Sequence, residues 1–242
     1  MLVSARAASG PAKRGEPGMT PSPDRKKKRV FLVDDHPLVR EWLTNLINQQ
    51  PDLAVCGESE TAPQALQAIA HSKPDVAIVD LSLKDSSGIE LIKGLKQSHP
   101  NVAVLVLSMH DEAHYAERAL RAGARGYVMK RETTRKVIEA IRRILEGKLY
   151  VSERVTEAMT GRFVEGKRSG NFSPIDELSD RELEVFEMLG QGQGTRQIAE
   201  TLRVSVKTIQ AYCARMKEKM NLNSATELLR EAIRWNENKH PR

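Results

Sequence analysis

Asp75-Val76-Ala77-Ile78-Val79-Asp80 sets four apolar residues in a row between two carboxylates. A run this short, without the alternation of a half-exposed strand, reads as a strand buried on both faces, as in parallel sheets. The carboxylate that closes it, Asp80, stands at the carboxyl end of that strand, where open α/β sheets bind their ligands. Three other apolar runs end in groups suited to join it. Val30-Phe31-Leu32-Val33 leads into Asp34-Asp35, the run 102–107 leads into Ser108, and Tyr127-Val128-Met129 leads into Lys130.

Working outward from these ends, strand and helix patterns alternate across residues 30–146. Strands fall near 30–33, 53–57, 75–79, 102–107 and 126–129, and helical patterns near 37–49, 62–71, 88–98, 112–122 and 133–146. Pro37 suits a first helical turn, Pro51, Pro74 and Pro100 precede strands, and Gly123 and Gly126 bracket a turn. Five βα units in this length imply an α/β doubly wound, five-stranded parallel sheet with helices on both faces.

Beyond it the pattern changes. Residues 147–176 hold a short apolar stretch at Leu149-Tyr150-Val151 and a helical pattern near 153–163, then become linker-like around Gly166-Lys167-Arg168-Ser169-Gly170-Asn171. Residues 177–242 read as a small all-α domain. Ser179 with Glu182 forms a capping box at the start of its first helix. Gly190, Gly192 and Gly194 end that helix, a short second one runs over 195–202, Ser205 caps a third reaching Met220, and a fourth runs from Ser224 to Trp235.

The 242 residues carry a net charge of +6. Residues 1–29 hold eight basic and two acidic residues and account for all of it, so residues 1–28 read as a disordered basic tail and the rest of the chain is neutral. Any claim of nucleic-acid binding must therefore rest on local charge, not on the total. No run approaches the about 18 apolar residues of a membrane span, and the first 29 residues lack the apolar centre of a signal peptide. With Cys56 and Cys213 reading as reduced, buried thiols, a cytoplasmic protein is expected.

Three carboxylates converging in one pocket repel one another, and a hard divalent cation relieves this. Few protein ligands plus several waters favour Mg2+. An ionised aspartate beside such an ion is a nucleophile toward phosphorus, and transfer to it needs mainly positioning and charge neutralisation. Asp80 is accordingly the expected phosphoryl acceptor, Asp34 and Asp35 the metal holders, and Lys130 and Ser108 the groups that bind phosphoryl oxygens. His36 reads as a residue of the pocket rim.

In the third helix of the C-terminal domain, Val206, Ile209, Cys213, Met216 and Met220 form one apolar stripe. Lys207, Gln210, Ala211 and Ala214 fall on the other side, with Arg215 at its edge. Residues 207–219 carry Lys207, Arg215, Lys217 and Lys219 against Glu218 alone. A smooth, locally basic helix behind a short helix and a turn suits the major groove of DNA.

Val33-Asp34-Asp35-His36-Pro37, Asp80, Ser108 and Gly126-Tyr127-Val128-Met129-Lys130 resemble the receiver domain of two-component response regulators, over residues 29–146, a flavodoxin-like fold. Leu178-Ser179-Asp180-Arg181-Glu182-Leu183-Glu184-Val185, Ile198-Ala199, Ser205, Lys207-Thr208-Ile209 and Lys219-Met220 resemble the LuxR-type helix-turn-helix. Together they are similar to the NarL/FixJ family of transcriptional regulators. The resemblance implies a sensor histidine kinase as phosphoryl donor and a metal-bridging backbone carbonyl at Ser82, completing the set Asp34, Asp35, Asp80 and Ser82. It also implies a switch in which Ser108 moves toward the phosphoryl group while the Tyr127 ring turns inward. On the output side it implies double-stranded DNA contacted by Lys207, Thr208, Gln210, Ala211, Ala214, Arg215 and Lys219, and a homodimer formed on DNA through the last helix.

Arg131 stands where many receivers have Pro, Gln210 and Tyr212 stand where members often have Lys and His, and Ala214 stands where one well-known arrangement has a basic residue. Gln210 can pair with adenine and Ala211 can meet a thymine methyl, so a target with A·T content is expected. Val39 and Trp42 are the candidates for the kinase-facing side of the first helix. Two other readings compete with a non-enzymatic regulator having at most intrinsic autodephosphorylation. One is a helical domain that recruits a protein instead of DNA. The other is a Mg2+-dependent phosphohydrolase with Asp80 as nucleophile, against which Ser82 stands where a second acid/base aspartate is needed.

Overall fold

The computed structural model describes residues 27–83, 86–164 and 174–239. The expected basic tail, apart from Lys27 and Lys28, and the linker segment 166–171 lie outside the described residues. Strand β1 (Lys28–Val33) is followed by α1 (Pro37–Asn48), β2 (Leu53–Ser59), α2 (Ala62–Ser72) and β3 (Val76–Val79). Two short antiparallel strands, β4 (Ser82–Leu83) and β5 (Ser86–Ser87), precede α3 (Gly88–Ser98). Then come β6 (Ala103–Ser108), α4 (Glu112–Ala122), β7 (Gly126–Met129) and α5 (Thr134–Leu145).

All strands of the main sheet are parallel, in the order β2-β1-β3-β6-β7. The chain steps from β1 outward to β2, then back across β1 to β3. The order therefore reverses between β1 and β3, and the ligand crevice of such a sheet opens above the carboxyl ends of these two strands. Val33 pairs with Val79, which sets Asp34 beside Asp80.

The sheet's period of two sorts its apolar residues into two cores. Val30, Leu32, Val76, Ile78, Leu105 and Leu107 pack with α1 and α5, while Phe31, Val33, Ala77, Val79, Val104 and Val106 pack with α2, α3 and α4. In α1, Leu43 and Ile47 are fully covered; Val39 and Trp42, expected to face a partner, lean on the core that α1 shares with α5, and the exposed apolar side chain of the helix is Leu38.

Tyr150 forms a bridge to Gly126, extending the sheet edge before α6 (Glu153–Val164), which packs on α4. A 3-10 turn (Pro174–Glu177) leads into α7 (Asp180–Gly190), α8 (Thr195–Thr201), α9 (Val206–Lys219) and α10 (Ala225–Lys239). The predicted capping box is present: Ser179 Oγ accepts from the Glu182 amide at 3.4 Å and Glu182 returns a bond to the Ser179 amide at 2.8 Å. Helices α7 and α10 cross closely enough that a Cβ on Gly190 would lie 2.4 Å from the Ala232 carbonyl oxygen. The apolar core of α7 to α10 is continuous with the one under α4, so the two domains share an interface. Cys56 and Cys213 are unpaired and half-buried, and burial raises both thiols above their usual range.

Candidate functional site

Asp34, Asp35, Asp80, Ser108 and Lys130 sit at the carboxyl ends of the strands of the main sheet, and Ser82 opens β4. The ladder continues one step past the strands proper: the Asp80 amide donates to the Val33 carbonyl at 2.8 Å, the Asp34 amide to Ser59 at 3.1 Å, and the Lys130 amide to Ser108 at 2.8 Å. These bonds fix the backbones from which the site's side chains project. Asp34, Asp80 and Ser108 are buried, and Asp35 lies at the half-buried rim.

Lys130 Nζ is 2.7 Å from Asp34 Oδ2 and 2.7 Å from Asp80 Oδ2, one ammonium between two buried carboxylates. Burial raises the Asp80 carboxyl above the ordinary aspartate range; Lys130 opposes this and neighbouring Asp34 adds to it. Burial pulls Lys130 down, and Asp80 and Asp34 together outweigh it, so the amine is held more firmly protonated than a free lysine.

One ammonium does not satisfy the pocket. Asp80 Oδ1 is buried without a hydrogen-bond partner, and Asp35 Oδ1 faces His36 Nδ1 at 2.8 Å without hydrogen-bond geometry. Ligand atoms of Asp34, Asp35, His36 and Asp80 lie within 4.8 Å of one another. Unpartnered carboxylate oxygens converging at this spacing fit a hard divalent cation. The His36 amide caps Asp34 Oδ1 at 2.9 Å, and the exposed ring sits at the rim as expected.

Two supports of the acidic turn were not foreseen. The buried Arg40 guanidinium donates to the Asp34 carbonyl at 2.8 Å and pairs with Glu60 at 2.8 Å, tying the turn to the end of β2. Its signal, an arginine on the apolar side of α1, was present in the sequence without its partner being readable. At Gly88 a Cβ would lie 2.1 Å from the Asp80 carbonyl oxygen, so α3 starts hard against the acceptor's backbone and admits no side chain there.

Tyr127 is already inward: it is 2 % exposed and its hydroxyl donates to the His110 carbonyl at 2.9 Å. Burial raises its phenol above the usual range. Ser108 Oγ accepts from the His110 amide at 3.2 Å. Ser82 Oγ is bonded to His110 Nε2 at 2.8 Å.

In α9 the apolar stripe faces inward as expected, with Ile209 and Met216 fully buried. Lys207, Gln210, Ala211, Ala214 and Arg215 are exposed on the opposite side. Thr208 is half-buried and shares a 2.8 Å hydrogen bond with Ser205, the helix cap. Arg215 lies over the Tyr212 ring, 4.9 Å from its centre. Arg215 Nε also lies 3.6 Å from Glu182, and Lys219 is held there more closely. Its ammonium sits 2.6 Å from Glu182 and 3.2 Å from the Glu177 carbonyl, so it holds α9 to the capping box.

Residues 30–142 match the family described as response regulator receiver domain, and residues 176–232 match bacterial regulatory proteins, luxR family. The oxygen regulatory protein NreC of Staphylococcus haemolyticus is 34 % identical over 210 residues, covering 85 % of this chain and 97 % of NreC. The chain is a two-component response regulator of the NarL/FixJ family. Among solved structures, this response regulator resembles a LuxR-family regulator from Aurantimonas sp. SI85-9A1, with TM-score 0.53, 33 % identity, and coverage of 57 % of this chain and 99 % of that one. It also resembles RcsB in an RcsB-DNA complex, with TM-score 0.52, 25 % identity, and coverage of 84 % and 96 %. The regulator binds DNA and acts in a two-component system, and its fold is the doubly wound sheet followed by a helical output domain. Among the described residues, none of its helices is long and apolar enough to cross a membrane.

Proposed function

We propose that this cytoplasmic response regulator takes a phosphoryl group onto Asp80 from the phosphohistidine of a sensor histidine kinase. The observation that carries the proposal is the Lys130 ammonium, 2.7 Å from both Asp34 and Asp80, beside an unpartnered Asp80 oxygen. In the transfer, an Asp80 oxygen forms the new O–P bond while the P–N bond breaks and its electron pair returns to the donor imidazole. Lys130 and Ser108 hold phosphoryl oxygens, and Asp34 and Asp35 keep the pocket's negative charge in a form a cation can answer. Asp34, Asp35, Asp80 and the Ser82 carbonyl would hold a magnesium ion, which would supply positive charge to offset the negative charge developing on the phosphoryl group. Return of the group to water is at most a slow intrinsic reaction, since the described pocket offers Ser82 where a hydrolase needs a second acid/base carboxylate.

The output is double-stranded DNA read by α9. Gln210 and Ala211 face base edges, and Lys207 and Arg215 hold phosphates. Thr208 and Ala214 line the approach. Lys219 reaches phosphate by exchanging its bond to Glu182. A homodimer places two α9 helices on paired half-sites, a reading supported by a solved structure of two RcsB dimers bound to two parallel DNAs. Incubation with acetyl phosphate and magnesium tests the acceptor: wild type gains one acid-stable, base-labile phosphoryl group, and Asp80→Asn gains none. Equal labelling of both proteins would refute the assignment.

A further inference from the structure

His110 sits between the pocket and the output domain, and each of its polar groups is engaged. Its backbone amide donates to Ser108 Oγ at 3.2 Å and its carbonyl accepts from the Tyr127 hydroxyl at 2.9 Å. The ring stacks on Tyr115 with centroids 4.4 Å apart. Ring Nε2 is 2.8 Å from Ser82 Oγ, and Nδ1 is 3.3 Å from Glu187 Oε2 on α7. Glu187 also accepts from the Tyr115 hydroxyl at 3.3 Å, and Glu184, one turn earlier, reaches Ser82 Oγ at 3.5 Å. Both glutamates are less than a tenth exposed; Arg181 pairs with Glu184 at 2.6 Å, while the contacts of Glu187 with His110 and Tyr115 offset part of the solvation it loses on docking.

We infer that His110 is a positioning residue that couples the acceptor pocket to the DNA-binding domain, its backbone holding Ser108 and Tyr127 at rest while its ring is held by Glu187 of α7. The inference rests on the reading of Asp80 as phosphoacceptor. When Ser108 is drawn toward a phosphoryl oxygen, its Oγ is carried away from the His110 amide and the loop leaves its resting place. The ring then leaves Glu187, and α7 loses one of the contacts that hold it docked beside those made by Arg118 and Arg181. Coupling runs both ways, because two sites linked through one element bias each other equally.

Trp235 supplies the reporter. It lies 4.7 Å from the His114 ring on α4, across the same interface, and the chain has two tryptophans. In the full chain carrying Trp42→Phe, acetyl phosphate with magnesium is expected to shift Trp235 emission to the red in step with base-labile phosphate on Asp80. Adding His110→Ala should produce the red-shifted emission before any acetyl phosphate and remove most of the further shift, while labelling still reaches the wild-type extent. Glu187→Ala should do the same from the other domain, Glu187→Gln should restore part of the shift by keeping an acceptor oxygen, and the double variant should go no further than either single one. If His110→Ala fails to fold, the Glu187 pair decides alone. Wild-type emission and a full shift in either alanine variant, or additive effects, would overturn the coupling. Asp80-dependent labelling without any Trp235 shift would also overturn it, whereas absent labelling would overturn the acceptor reading beneath it.

Discussion

Lys130 holds together two buried carboxylates that would otherwise face each other across the β1/β3 crevice. Removing one partner of a buried pair leaves charge without compensation and costs about 3–5 kcal/mol. Lys130→Met should therefore lose stability of that order in urea at neutral pH without divalent ions. Magnesium should recover more stability in the variant than in wild type, because the cation then supplies the whole of the missing charge. Urea titrations with and without magnesium measure this, and equal magnesium effects on both proteins would refute it. Glu182 gives a second residue-scale test. Burial pushes its carboxyl up, but Lys219 and the Ser179 bonds outweigh this and hold it below its ordinary value of 4.5. A lowered carboxyl contributes stability that is present above the ordinary value and lost as pH falls through the lower, folded one. Wild type should be more stable than Glu182→Gln near neutrality, and the gap should close between about pH 5 and pH 3. Thermal melts across that range read it.

At the scale of elements, the close crossing of α7 and α10 is the sharpest constraint. Gly190→Ala would put a methyl group 2.4 Å from a backbone oxygen, which no rotamer change relieves. Overpacking of this kind costs about 1–3 kcal/mol, so the midpoint of chemical denaturation should fall while a helix-surface control such as Glu218→Ala leaves it in place. Most elements were legible in the sequence because each carries its own period. The strands were unbroken apolar runs, and Ser179 with Glu182 announced α7. What escaped were features without a local period. The strands β4 and β5 have two residues each, too few for alternation to register. Helix α10 runs on to Lys239 past the last apolar residue, Trp235, through polar residues that reveal no face. The pocket's composition was readable from strand ends. Arg40 as its support, and Lys219 as a structural rather than a free cation, depend on partners 20 and 37 residues away in sequence.

On the scale of the whole molecule, docking buries α7 but leaves the outward face of α9 open. Arg118 of α4 anchors the join, donating to the carbonyls of Leu178 at 2.6 Å and Ile175 at 3.1 Å and pairing with Asp180 at 3.3 Å. Arg181 of α7 returns a bond to the Leu83 carbonyl at 3.3 Å. Yet Lys207, Gln210, Ala211 and Arg215 remain exposed. In the proposed homodimer, docking would then restrain the placement of one helix-turn-helix relative to its copy, not the reading of a single half-site. Binding of a second half-site by a linked domain depends on effective concentration and vanishes when geometry forbids both contacts at once. Arg118→Ala should accordingly raise affinity for paired half-sites while leaving affinity for an isolated half-site within about twofold, a difference below 0.5 kcal/mol. The contacts within each half-site should stay separable: Lys207→Ala should weaken all sequences alike and flatten the salt dependence by about one phosphate per domain. Gln210→Ala should leave that slope and relax sequence choice. Salt-titrated binding of both variants to matched and mismatched DNA measures the two effects, and equal loss of discrimination from both would remove the division between phosphate grip and base reading on α9.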